Sequence, residues 1–342
     1  MTDLTVVASY GRTAGSARVR MYDWLDHLGL RAREYAYLGT SRLGLGALAR
    51  RPLDVARAEA GLRRIGSGDG PVLLSRRASP LSRGGLEARI LGRARRGVYD
   101  FDDALAVDSR GPFPIATIWR RAVSAADVVI AGNELLAEQA REHSDRVVMI
   151  PSCIEPGLYR AKTDYRLGEP TAVWIGSPST ESYLEAIARP LLEAHRRTGL
   201  RLRLVSAGEA SLGELDAMID RVAWTPTGFA AALESADFGV MPLPDDEWSR
   251  GKCAYKLLQY AATGLPLIGS PVGVNASVLE GARGWAADGD DAWLDALLAC
   301  VSASSAERAD RGAAAREFVT AEYSFAAWAP TWRAAVFGDA EA

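Results

Sequence analysis

The sequence predicts an α/β protein of two doubly wound, Rossmann-like domains facing across a cleft. Three observations carry that expectation. The chain has 342 residues, a length that suits two cores better than one. Strand-like and helix-like stretches alternate twice in succession, the pattern of parallel sheets with crossover helices. Between the two runs, residues 152–170 form an irregular polar stretch with prolines and glycines, read as a hinge. The expected domains are therefore 1–164 and 165–315.

In order along the chain, residues 4–9 read as a strand and 10–16 as a loop with Gly11 and Gly15. A helix is expected over 17–28, ended by Gly29, and a second strand over 31–37. Residues 41–65, rich in leucine and arginine, are expected to be helical. Strands follow at 71–75, 97–101, 127–131 and 147–150, with a helix beginning near Asn133. After the hinge the alternation restarts: strand 171–176, turn 177–180, helix 181–198, strand 200–206 and strand 236–241. An acidic loop, 242–248, leads to a helix over 252–263 closed by Gly264, then a strand over 265–270. Ligands of such sheets collect at the carboxyl ends of the strands, where the loop before that helix should lie.

Composition excludes several classes. Hydrophobic residues make up 48% and charged residues 24%, ordinary for a globular protein. No run reaches the roughly 18–20 apolar residues of a membrane span, and the N-terminus has no basic region of a signal peptide. Three widely spaced cysteines without CxxC suggest reduced thiols and a cytoplasmic location. His27, His143 and His195 fall in separate helical segments, unsuited to a zinc site or a Ser-His-Asp triad. Net charge is −3, but residues 1–98 hold 18 arginines against 8 acidic residues, a net of +10, leaving −13 for the rest. That basic third either meets an anionic acceptor or the inner face of an anionic membrane, or is a solvated helix surface. No nucleic-acid partner is expected.

Only three lysines occur, at 162, 252 and 256. Lys252, Lys256 and Gln259 at i, i+4 and i+7 would share one helical face. Cations are disfavoured in a first turn, where the helix dipole is already positive. With Gly251 and Arg250 beside them, they suit a phosphate or diphosphate.

The run 242–275, which contains Arg250-Gly251-Lys252-Cys253-Ala254-Tyr255-Lys256 and ends on Val274-Asn275, resembles the donor-binding signature of glycosyltransferase family 4, a family of GT-B architecture. Supporting matches, in family order, are Ala17-Arg18-Val19-Arg20, Tyr99-Asp100-Phe101-Asp102-Asp103, Ala131-Gly132-Asn133-Glu134 and Trp174-Ile175-Gly176-Ser177-Pro178-Ser179-Thr180. The resemblance implies a retaining transferase that moves a sugar from a nucleotide diphosphate sugar to an acceptor. Its second domain would bind the nucleotide, its first domain the acceptor, and a C-terminal helix, 316–342, would cross back onto the first. The acceptor is left open as a sugar, a lipid-linked molecule or a small metabolite.

Two departures from the family pattern stand out. Its paired glutamates, seven residues apart, fall on Gly251, which has no side chain, and on Gln259, which can still bond a ribose diol. Its Arg and Lys after the first strands of the second domain fall on a loop with Ser177, Ser179 and Thr180. Lys252 and Lys256, with Arg250, are expected to supply that charge. The alternative is that the two lysines are exposed helix residues pairing with Asp245, Asp246 or Glu247.

Asp102 and Asp103 are expected at the reacting centre, or as a helix cap. Their cluster could hold a divalent cation, but it lies in the first domain, away from the phosphate-type loop, so neither metal nor other cofactor is expected. Gly11, Arg12, Gly15, Ser16, Arg18 and Arg20 form the expected acceptor loop. Two further readings use the same fold: a nucleotide-sugar 2-epimerase, and a non-catalytic nucleotide-sugar-binding protein.

Overall fold

The computed structural model describes residues 4–40, 44–66, 70–109 and 114–338. The chain divides into two units. One comprises residues 1–153, 251–253 and 328–342; the other comprises 154–250 and 254–327.

The first unit holds six parallel strands: β1 (Leu4–Val7), β2 (Ala32–Tyr35), β3 (Pro71–Ser75), β4 (Arg96–Phe101), β5 (Val128–Ala131) and β6 (Val147–Met149). Their order is 2-1-3-4-5-6. Strands β1, β3 and β5 are buried along their whole length, as continuous aliphatic runs must be when helices cover both faces. Chain direction across the sheet reverses between β1 and β3, so the loops after these two strands flank a switch point.

The second unit also holds six parallel strands: β7 (Thr171–Ile175), β8 (Arg201–Ser206), β9 (Ile219–Ala223), β10 (Phe238–Met241), β11 (Leu267–Gly269) and β12 (Trp285–Ala286). They run in the order 12-11-10-7-8-9. Here the switch point lies between β7 and β10.

Several helices differ from expectation. The first is not one smooth helix: a π-helical turn at Arg18–Tyr22 precedes the helix Asp23–Leu28, and Gly29 ends it at φ +63°. The segment 41–65 begins outside the described residues, as does the side chain of Leu45. Its described part is two helices, Leu45–Ala49 and Pro52–Leu62, divided where Pro52 takes the first helical position. In place of one helix over 181–198, 3₁₀ turns over Pro178–Ile187 give way to a helix at Ala188–Thr198. Pro190 sits in the first turn of that helix, where its missing N–H costs nothing.

The helix expected over 252–263 begins only at Tyr255, because Ala254 takes a left-handed φ of +53°. Gly264, at φ +77°, closes it. The terminal aromatics fall into two groups. Phe318 and Tyr323, on the helix Ser305–Tyr323, pack on the core of the second unit. Trp332, on the helix Phe325–Phe337, stacks on Trp24 of the first, with ring centroids 5.2 Å apart. Among the described residues no helix is long and apolar enough to cross a membrane.

Candidate functional site

The second unit builds a site at its switch point, and the sequence explains why. Tyr260, on the helix Tyr255–Thr263, accepts a hydrogen bond from Ile175 N of β7 (3.0 Å) and donates one to Val240 O of β10 (3.2 Å). One hydroxyl thus pins the helix across the split between the two strands. Gly239 makes room for it, since a Cβ there would lie 2.2 Å from the Tyr260 ring.

The pinned helix points its N-terminus at the loop after β7. Lys256, in its first turn, holds its Nζ 5.2 Å from the centroid of buried Trp174. Gly176 lets the loop pass close, for a Cβ there would lie 2.4 Å from Trp174 and 2.9 Å from Lys256 Cε. Beyond it, the hydroxyls of Ser177 and Ser179 are exposed and 3.0 Å apart. The helix N-terminus, one ammonium and two hydroxyls therefore surround the carboxyl ends of β7 and β10.

Two residues expected at this site have other partners. Arg250 is exposed and donates to both oxygens of Asp245, at 2.6 and 3.0 Å, so its charge is spent on a surface pair five residues away. Gln259 is buried and donates from Nε2 to the Tyr159 hydroxyl at 3.2 Å; the aromatic pack of Tyr159 and Phe229 takes that amide.

A second constellation forms in the first unit, at the carboxyl ends of β1, β3 and β4. Asp102 accepts from the Ser16 hydroxyl at 2.5 Å, and Asp103 accepts from Arg76 at 2.7 Å. Arg76 adopts φ +59°, a left-handed turn directly after β3. Burial pushes the Asp103 carboxyl up, against the pull of Arg76.

Lys252 joins this group, not the helix of Lys256: its Nζ is 3.9 Å from Asp103 Oδ1. It rides on the strap 251–253, which belongs to the first unit. Asn133 caps the helix Glu134–Arg141 by accepting from Leu136 N (2.9 Å) and donates to the carbonyl of Gly251 (3.0 Å). Gly251 fits because a Cβ would meet that of Ala104 at 2.6 Å. The shared lysine face expected from the spacing is thus corrected by the left-handed Ala254.

The acceptor loop is also revised. Arg20 is 1% exposed and forms a bidentate pair with Asp100 at 3.1 and 2.7 Å, with a third bond to Ile150 O. It is a core residue and cannot face an acceptor. Arg12 lies on Tyr22 and bonds Glu34 and Asp26, while Arg18 pairs with Asp23. Gly11, at φ +59°, allows close approach to Ala36, whose Cβ would sit 2.7 Å from an added Cβ; its role is packing. Gly15 opens the helical turn that carries Ser16.

Asp100 is thus paired with Arg20, while Arg76 Nη1 reaches both Asp103 (2.7 Å) and, more distantly, Asp102 (3.9 Å). His143 packs edge-on to Trp119, and His195 bonds Leu200 O. Arg76, Tyr260 and Trp174 were missed as site residues. A signal existed for Arg76, which directly follows the strand read at 71–75.

Two doubly wound parallel sheets with these orders define the GT-B class of α/β fold. Solved structures share it at low identity: WaaG, a glycosyltransferase involved in lipopolysaccharide biosynthesis (TM-score 0.68, 12% identity, 97% of this chain and 99% of that one), and HepE of Anabaena, solved with UDP and glucose (0.66, 11%, 97% and 98%). TarM matches at 0.59 and 12% identity over 76% of this chain, which spans only 53% of TarM. Residues 169–303, which hold the site between β7 and β10, match the family described as glycosyl transferases group 1. No curated protein matches the sequence.

Proposed function

We propose that this protein is a retaining glycosyltransferase that takes a sugar from a nucleotide diphosphate sugar. The observation that carries the reading is the second unit's switch point, where Lys256 and the N-terminus of Tyr255–Thr263 meet the Ser177–Ser179 loop within the matched family region. A diphosphate there receives backbone N–H groups, an ammonium and two hydroxyls.

Charge developing on a leaving diphosphate is stabilised by such preorganised donors, and positioning supplies much of the rest. In the retaining scheme the leaving phosphate takes the acceptor's proton on the same face. Asp102, Asp103 and Lys252, in the first unit, are assigned to the reacting centre and the acceptor. Asp100 is taken up by Arg20, and Asp102 and Asp103 by Ser16 and Arg76, and no metal is required. The acceptor is a sugar, a lipid-linked molecule or a small metabolite, at a cytoplasmic site.

The test begins with UDP, the ligand of HepE, alongside other nucleoside diphosphates by calorimetry. Release of nucleotide from a UDP-sugar with an acceptor follows, with the product's anomeric configuration read by NMR. Retention is expected, and EDTA should leave turnover unchanged. Failure of every diphosphate to bind would sink the assignment, an inverted product would overturn the retaining scheme, and activity lost to EDTA and restored by Mn²⁺ would overturn metal independence.

A further inference from the structure

Among the described residues at the carboxyl edge of the first sheet, the guanidinium of Arg77 has no carboxylate partner. Arg12, Arg18, Arg20 and Arg76 each have carboxylate partners. Arg77, which follows Arg76, has none among the described residues. Its Nη2 donates to the Tyr10 hydroxyl, and its guanidinium carbon lies 5.4 Å from the Tyr10 ring centroid.

The place is the switch point of this sheet. Tyr10 follows β1 and Arg77 follows β3, and the two loops are tied by Ser9 N donating to Arg77 O at 3.2 Å. The second loop is further fixed by Ala78 N donating to buried Glu87 at 2.9 Å. Both Arg77 and Tyr10 are only partly covered. A partly covered guanidinium with no carboxylate beside it among the described residues can take an oxyanion on its remaining N–H groups. Stacking on an aromatic ring orients the planar fork and leaves its edge for a bidentate oxyanion.

We propose that Arg77 and Tyr10 bind an oxyanion, a phosphate or a carboxylate, carried by the acceptor substrate. The inference rests on the glycosyltransferase reading for the word acceptor, but the anion site itself does not. It moves the acceptor contact from Arg12 and Arg20, which are engaged elsewhere, to a residue of the loop after β3.

Inorganic phosphate and acetate are titrated against protein labelled in its arginine Nε, with chloride at matched ionic strength as control. The Arg77 signal, assigned by Arg77→Lys, should shift saturably with at least one of the two and not with chloride. Phosphate alone, acetate alone or both would each support the site and name its ligand. Tyr10→Phe should keep the fold and the stacking while weakening the titration.

In turnover, a phosphorylated or carboxylated sugar should be preferred over the neutral one by at least about tenfold, the loss typical of one charge-assisted contact, and Arg77→Gln should erase that preference. UDP binding is followed in the same samples. Absence of binding by UDP and by every other nucleoside diphosphate defeats the glycosyltransferase reading without touching the anion result. An Arg77 signal that moves equally with chloride, or not at all, overturns this proposal.

Discussion

At the scale of single residues, two cations that look alike in the sequence do different work. Lys256 sits in the first turn of a helix, over Trp174, where the proposed diphosphate would meet both its charge and the positive end of the helix dipole. Lys256→Ala should weaken UDP binding by about 1.5–3 kcal/mol, the range for hydrogen bonds to charged groups, and leave uridine nearly unaffected. Equal losses for both ligands in calorimetry would contradict the diphosphate role.

Arg20 is the opposite case. Its pair with Asp100 is buried on both sides, and burial pushes Asp100 up to about 6 even beside the guanidinium. Removing one partner of such a pair strands the other, so Arg20→Met should cost about 3–5 kcal/mol in denaturant unfolding, while Arg20→Met with Asp100→Leu should recover most of that. A double variant as unstable as the single one would show that the bonds, not the stranded charge, carry the stability.

Among the elements, the helix Tyr255–Thr263 depends on a glycine in a strand that it crosses. Gly239 of β10 leaves the space filled by the Tyr260 ring. A methyl group there overpacks the junction, and Gly239→Ala should destabilise by about 1–3 kcal/mol and weaken UDP binding, because the helix is lifted from the switch point. Tyr260→Phe keeps the shape and loses the bonds to Ile175 and Val240, so its smaller effect would separate the wedge from the hydroxyl. Unchanged melting and UDP affinity in Gly239→Ala would mean that the helix shifts freely, against the close packing around it.

For the molecule as a whole, the last helix supplies an anchor to the first unit. Trp332 is fully buried against Trp24, and Arg96 donates to the carbonyls of Ala334 and Ala335 at 3.2 and 2.9 Å. Trp332→Ala should cost about 3–5 kcal/mol, as large buried aromatics do, and truncation after residue 327 should lower the melting temperature of the first unit. UDP binding, assigned to residues of the second unit, should survive in both variants at temperatures where the protein is folded. A truncated protein with unchanged melting would assign the anchor elsewhere.

Local chemistry made much of this legible from the sequence. Leu4–Val7 and Pro71–Ser75 announce buried parallel strands by their aliphatic runs, Gly29 and Gly264 mark helix ends by taking φ > 0, and Asn133 sits where a cap is needed. Strands β9 and β12 escaped, one because it is a half-exposed edge and the other because it is two residues long. What only the tertiary structure decided is which charges meet. Arg20 finds Asp100 eighty residues away, Lys252 leaves the helix for Asp103 because Ala254 turns left-handed, and Arg77 lies on Tyr10 with no acid beside it among the described residues. Helical and strand periods report along a segment, whereas ion pairing depends on which loops the sheet order brings to one edge. That order is set by packing across the whole unit, so no spacing in the sequence encodes it.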